Sequence, residues 1–406
     1  MSLKQGQGSF INNTFILGSN INVTSNNPSD NFAEIFTTSG DIKYVQQAVD
    51  AAFYAQKKWN NQSLDYRIEK LKILKNNLLK NEDRLANAIS LEMGKLLKEA
   101  KIEAKGLSER IDLVIEHGLK RVSTEYFHHL KAKTVYQAQG VMAIIGPFNF
   151  PIHLIHSHVI PALLLGNTVV IKPSELCPLS AEIYSECFLG LDDGIFNMLV
   201  GKKEVGESLC LHKNVSGVVF TGSYNVGRYL QGLLLDHPEK ILALEMGGKN
   251  CAVIMDDAHI QQAIIGVLEG AFVTTGQRCT ATSRVFIHKN KYSQVKEQLI
   301  KLASSLKSVH ALNENGLFGP LASNLALENF FAKLNNAKKE SVNILLESKN
   351  LGGGAYVTPS IYEVNAEHSI EGYLSDELFG PNICLEEFSN LDDVIYRVNQ
   401  IGRAHV

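Results

Sequence analysis

Apolar positions change rhythm along this chain. Between residues 41 and 121 they recur at helical spacing: "VQQAVDAAFYAQKKW" puts Val45, Val49, Ala52 and Phe53 on one stripe, and further amphipathic stretches follow through Lys120. Residues 127–139, "FHHLKAKTVYQAQ", alternate as a strand does and predict an arm. From residue 141 short β-rich runs alternate with helical ones: "VMAII", "IHLIHSHVIPALLLG", "TVVIK", "LSAEIYSECFLG", "IFNMLV", "KEVGESLCLH", "VSGVVF", "YNVGRYLQGLL" and "ILALE". Buried runs separated by helices mark βαβ units and a parallel, doubly wound sheet. A second α/β segment begins at "CAVIMDD", with a helix predicted over "HIQQAIIGVLEGAFVTT", a strand over "SRVFIH", and helices over "YSQVKEQLIKLASSLK" and "LDDVIYRVNQ".

Composition narrows the class. At 406 residues two or three domains are expected. Hydrophobic residues at 45% and charged ones at 20% are ordinary for a soluble globular protein, and a net charge of −3 gives no surface for nucleic acid or an anionic membrane. The N-terminus has no apolar signal core, and Pro161, Gly166 and Asn167 interrupt the longest apolar stretch short of a membrane span. Cysteines 177, 187, 210, 251, 279 and 384 show no pairing rhythm, so reduced thiols and a cytoplasmic location are expected.

Candidate chemistry gathers at predicted strand ends, where wound sheets collect ligands. Glu245 closes "ILALE" ahead of Gly247 and Gly248, as a base would, although a strand-end glutamate commonly just faces water. Asn149, in the stiff loop "GPFNFP", could aim an amide at a developing oxyanion or simply serve the turn. Gly222 and Gly227 in "FTGSYNVG" bracket a helix start able to hold a phosphate, a weak signal by itself. Lys172 and Glu175 in "IKPSE" lie where a dinucleotide's ribose would rest. Cys279 in "GAFVTTGQRCTATSR" stands apart from the strand ends, and a lone cysteine is more often a buried thiol than a nucleophile. His153, His156 and His158 lack the spacing and the neighbouring carboxylate of a metal site, so no metal is expected.

In order, "GPFNFP", "GNTVVIKPSE", "FTGSYNVG", "LEMGGKN", "GQRC" and "DELFGP" resemble the signature of the aldehyde dehydrogenase superfamily, with a likeness running from about Phe10 to about Asn399. "EKILALEMGG" and "GAFVTTGQRCT" are most similar to its succinylglutamate semialdehyde branch, an enzyme of arginine catabolism. The resemblance implies NAD-dependent oxidation of an aldehyde, with Cys279 as nucleophile, Asn149 and the Cys279 backbone N–H holding the oxyanion, and Glu245 activating water. It also implies Gly222, Ser223 and Gly227 at the pyrophosphate, Lys172, Ser174 and Glu175 at the adenosine ribose, and Glu377 and Phe379 at the nicotinamide end. A carboxylate at Glu175 would accept from ribose hydroxyls and repel a 2′-phosphate, favouring NAD.

The implied organisation is an NAD-binding domain over 1–119 and 139–247, an oligomerisation arm over 120–138, a catalytic domain over 248–406, and assembly as a homodimer or homotetramer. "PIHLIHSH" departs from the matching run of the succinylglutamate branch, although His153 and His158 match its histidines. That leaves another semialdehyde as the alternative substrate. The family also continues for several elements beyond "LDDVIYRVNQ", whereas this chain ends in "IGRAHV". A truncated relative that binds only nucleotide or partner subunits is therefore the alternative activity.

Overall fold

Residues Thr168–Lys172 are buried throughout their length, which a strand can be only at the centre of a sheet covered on both faces. The computed structural model describes residues 3–402 apart from 314, 341 and 366, so the last four residues of the "IGRAHV" end lie outside the described residues. Short strands open the chain: β1 (Lys4–Gln5), β2 (Ser9–Ile11), β3 (Thr14–Ile16), β4 (Ile21–Asn27) and β5 (Ala33–Gly40). Helices α1 (Tyr44–Asn60), α2 (Leu64–Met93) and α3 (Leu97–Leu113) follow. Ser63 caps α2 by accepting from Tyr66 N, and left-handed Gly94 ends it. Strands β6 (Glu125–Phe127) and β7 (Ala132–Thr134) then pair as a projecting hairpin that exposes Tyr126 and Leu130.

The predicted alternation is present next: β8 (Val141–Ile145), α4 (His153–Leu164), β9 (Thr168–Lys172), α5 (Pro178–Glu186), β10 (Phe196–Met198), α6 (Lys203–Leu211), β11 (Val215–Thr221), α7 (Tyr224–Leu233) and β12 (Ile241–Glu245). These strands lie in the order β12-β11-β8-β9-β10, all parallel. The chain winds outward from β8 in one direction, then returns to β11 on its other side. That reversal opens a crevice at the carboxyl ends of β8 and β11, where doubly wound sheets bind dinucleotides. The sheet is mixed rather than wholly parallel, because β2 and β3 extend it antiparallel beyond β10.

The second sheet is built from β13 (Asn250–Ile254), β14 (Thr282–His288), β15 (Asn343–Leu346), β16 (Ser360–Val364) and β17 (Asn382–Phe388), in the order β13-β14-β17-β16-β15. Helices α8 (Ile260–Phe272), α9 (Tyr292–Ser305), α10 (Asn324–Ala337) and α11 (Leu391–Asn399) complete this part. Its core includes Val267, Phe272, Val285, Leu299 and Leu385 and is separate from the core beneath β8 and β9.

Candidate active site

Glu245 ends β12 and Asn250 starts β13, so residues 246–249 carry the chain from the first sheet to the second. At Gly247 this crossing meets the segment around Glu377: a Cβ built there would lie 1.9 Å from Glu377 Oε2, so the carboxyl group in this position rests directly over the glycine. The buried Lys249 ammonium donates to the carbonyls of Tyr373 at 3.2 Å and Asp376 at 3.0 Å, and Lys333 Nζ donates to the Glu377 carbonyl. Burial pushes Lys249 down to about 8. Phe379, at φ 53°, presents its ring edge-on to Phe148, 5.8 Å away between centroids. Both ends of the proposed nicotinamide site therefore touch the "GPFNFP" loop or the inter-sheet crossing.

Cys279 follows a backbone that periodicity alone misassigns. Helix α8 stops at Phe272, not at Thr275, because Thr274 and Thr275 adopt left-handed φ values of 58° and 57°. Left-handed backbone costs a β-branched residue roughly 1–2 kcal/mol. Side-chain bonds hold both threonines there: Thr274 Oγ1 donates to Glu99 Oε1 at 2.6 Å, and Thr275 Oγ1 to the Gly319 carbonyl at 2.8 Å. Gly276 continues at φ 68°, where a Cβ would stand 2.5 Å from the Gly380 carbonyl oxygen. The cysteine loop thus packs backbone to backbone against the loop that carries Glu377 and Phe379.

Gln277 joins the cysteine loop to the first sheet. Its carbonyl accepts from Asn149 Nδ2 at 2.8 Å, and its side-chain Oε1 accepts from Ala322 N at 3.0 Å. The Asn149 amide keeps a second hydrogen for a further acceptor. The Cys279 carbonyl accepts from Asn250 Nδ2 at 2.7 Å, which ties the cysteine to the end of the crossing that Glu245 begins. Arg278 turns back to cap α8 through the Glu269 and Gly270 carbonyls. Of the other thiols, Cys187, Cys210 and Cys384 are pushed up to about 12 by burial. Cys279 is half-buried at the junction of the two sheets.

The three histidines of α4 separate by helical geometry. His156 is fully buried: its Nε2 meets the Leu107 carbonyl at 2.8 Å and must carry the hydrogen, while Nδ1 accepts from the Tyr184 hydroxyl at 2.9 Å. Burial pushes it down to about 3. His153, Leu154, Ser157 and His158 form the partly open stripe of the same helix. Burial lowers the His158 pKa; the Glu245 carboxylate opposes that shift and Arg110 adds to it, so all three charges share one neighbourhood. Among the described residues no group of three metal-ligating side chains converges.

The cofactor candidates ring the crevice. Lys172 ends β9, and its buried ammonium donates to the Pro173 carbonyl at 2.9 Å and pairs with the exposed Glu175 carboxylate at 3.5 Å. Ser174 and Glu175 line a small cleft with Pro178, Met198 and Gly201. Gly222 N donates to the Glu245 carbonyl at 3.0 Å, and Ser223 Oγ caps α7 by accepting from Val226 N. Gly227 lies one turn into α7 on its buried side. An open helix start beside the switch point, with a carboxylate beyond the second strand of the winding, fits a dinucleotide. A cavity of about 1110 Å³ beside Glu363 and Glu371 shares no residue with this crevice and has no cysteine in its lining.

Over residues 17–404 the sequence matches the profile of the aldehyde dehydrogenase family. The chain belongs to that family. Solved structures it resembles include lactaldehyde dehydrogenase from Escherichia coli, at 27% identity and TM-score 0.91, covering 98% of this chain and 84% of that one. An aldehyde dehydrogenase mutant from Pseudomonas syringae, complexed with NAD+ and octanal, matches at 25% identity and TM-score 0.89 over 97% and 82%. Betaine aldehyde dehydrogenase from Staphylococcus aureus, complexed with NAD+ and carrying a BME-modified cysteine, matches at 25% and 0.90 over 97% and 82%. The family expected from the six motifs is thereby established. No helix among the described residues is long and apolar enough to cross a membrane.

Several supports of this family member's site carried no readable signal. Asn250 and Lys249 follow the glycines of "LEMGGKN", yet nothing in the local pattern says that one grips the cysteine loop and the other the Glu377 loop. Arg110 looks like one more charge on an amphipathic helix until its neighbours are known.

Proposed function

We propose that this chain oxidises an aldehyde to a carboxylic acid with NAD, using Cys279 as nucleophile, Asn149 as oxyanion donor and Glu245 as base. The observation that carries this reading is the link across the two sheets: Asn149 is bonded to Gln277, and Asn250, at the far end of the crossing from Glu245, is bonded to Cys279. The Cys279 sulfur adds to the aldehyde carbon, and the Asn149 amide, with the Cys279 backbone N–H, receives the charge that forms on oxygen. NAD, when bound, supplies the hydride acceptor that takes the cysteine adduct to a thioester. Glu245 then removes a proton from water, the resulting oxygen attacks the thioester carbon, and the acid leaves as the thiolate returns.

Gly222, Ser223 and Gly227 would hold the pyrophosphate, and Lys172, Ser174 and Glu175 the adenosine ribose. Glu377 and Phe379 would position the nicotinamide end. The finer reading takes N-succinyl-L-glutamate 5-semialdehyde as substrate and rests on the wording of "EKILALEMGG" and "GAFVTTGQRCT". On the same reading, 1–119 with 139–247 bind the cofactor, 248–406 carry the nucleophile, and the exposed apolar residues of the 120–138 arm support assembly with further copies.

The test is NADH formation with N-succinylglutamate semialdehyde beside simple aldehydes. A kcat/KM at least tenfold above the panel supports the substrate, and equal rates discard it. Cys279→Ser should abolish oxidation and spare NAD binding; undiminished turnover in that variant would overturn the mechanism.

A further inference from the structure

Where α3 packs on α4 there is a positive charge with no counter-ion among the described residues. Arg110, in the last turn of α3, donates from its guanidinium to His153 Nε2 at 3.1 Å. Arginine can only donate, so His153 accepts there and keeps its hydrogen on Nδ1. The carboxylate that shares His153 with Arg110 is already engaged: Glu103 takes the buried Lys95 ammonium on Oε2 at 2.6 Å and the His153 backbone N–H on Oε1 at 3.2 Å. Glu109, beside Arg110 in sequence, pairs with Lys105. Among the described residues Arg110 forms no ion pair, although its side chain is only partly exposed.

Its placement relative to the proposed chemistry gives that charge a use. Arg110 acts electrostatically on His158 as well as on His153, and the Glu245 carboxylate acts on His158 in the opposite sense. His153 and His158 share the partly open stripe of α4, separated by about 7.5 Å along the helix axis at 1.5 Å per residue. A molecule reaching from the Glu245 end of that stripe to Arg110 would present its far end to a guanidinium with donors to spare. A guanidinium suits a carboxylate through two parallel N–H···O bonds. Phe150 packs beside His153, with ring centroids 6.5 Å apart, and carries the Lys95 ammonium 3.6 Å from its own centroid, so Lys95 is already engaged by the ring and by Glu103.

We infer that Arg110, oriented by His153, binds a carboxylate at the remote end of the substrate, which makes this chain selective for semialdehydes of carboxylic acids over neutral aldehydes. The inference rests on the aldehyde dehydrogenase reading and deepens it. It assigns Arg110 a binding role and His153 a positioning role.

The test compares 5-oxopentanoate with pentanal, equal in carbon count and differing in the carboxylate. Wild type should favour 5-oxopentanoate in kcat/KM. Arg110→Leu should reduce that preference roughly ten- to a hundredfold through KM, with Arg110→Lys recovering part of it. An unchanged ratio in Arg110→Leu, or a wild type that prefers pentanal, overturns the inference while leaving aldehyde oxidation intact. If neither aldehyde is oxidised, the enzymatic reading fails separately, and calorimetric binding of glutarate still reads the site. Glutarate should bind wild type at least tenfold more tightly than Arg110→Leu; equal binding rejects the carboxylate site. Matching circular dichroism and thermal midpoints establish that the variants fold.

Discussion

Two clusters in this molecule each place two cations near one buried glutamate, and they differ in whether both cations are paired. In the second sheet Glu386 serves both cations: Arg284 reaches it through Nε at 2.6 Å and a terminal nitrogen at 2.8 Å, and Arg397 at 3.4 Å. Both guanidinium groups stack on Phe286, and Arg397 also pairs with Asp393. Between α3 and α4, Glu103 serves Lys95 and a backbone N–H, and Arg110 is left over. The first cluster is closed and anchors α11 to β17; the second is open toward the stripe of α4 that leads to Glu245. Closed networks hold a fold in place, whereas a partly buried charge left unpaired is open to a partner from outside.

Glu386→Ala should have the largest effect. It leaves the buried Arg284 guanidinium without a carboxylate and Arg397 with Asp393 alone, and should cost about 3–5 kcal/mol, read as a lower urea midpoint. A loss under about 1 kcal/mol would remove the contrast between the clusters. Asn149→Ala, in the loop that α4 follows, should reduce kcat roughly 10²–10³-fold with little change in NAD binding, measured in the steady state.

His156 lies on α4 beside the open cluster but is itself closed, with both nitrogens bonded. Burial pushes its pKa from 6.5 down to about 3, so the folded state resists a proton that the unfolded chain accepts. Its stability contribution is fully present above pH 6.5 and is lost as pH falls toward about 3. Denaturation of wild type against His156→Gln should show a difference of roughly 3 kcal/mol in acid sensitivity between neutral pH and about pH 4. Parallel acid limbs would mean that the imidazole protonates freely in the fold. Smallest is the stability change in Arg110→Leu, below about 1 kcal/mol by the same denaturation, because the arginine closes no network. A loss as large as that of Glu386→Ala would make Arg110 a structural ion and the two clusters alike.

Much of this architecture is legible from local pattern. The runs from "VMAII" to "ILALE" become β8 through β12 with their intervening helices, because a parallel strand buried on both faces must be apolar throughout. The N-terminal strands β1 to β5 have no such readable signal: β2 and β3 form a short hairpin stabilised by joining β10 at the sheet edge, a partner nearly two hundred residues later. At Thr274 and Thr275 the periodicity of α8 predicts continued helix, and hydroxyl bonds to Glu99 and Gly319 override it.

By itself, the sequence determined the alternation of strands and helices, the placement of Glu245, Lys172 and Asn149 at or just beyond strand ends, and the family carried by six ordered motifs. Those properties depend on residues near one another along the chain, where side-chain period and backbone preference act. Only the tertiary structure decided that Asn149 bonds Gln277 128 positions away, that His156 is sealed while His153 and His158 stay partly open, and that Glu103 leaves Arg110 without a counter-charge. Hydrogen bonds and ion pairs between distant segments depend on which groups remain unsatisfied once the helices and sheets have packed, and no local window contains both partners.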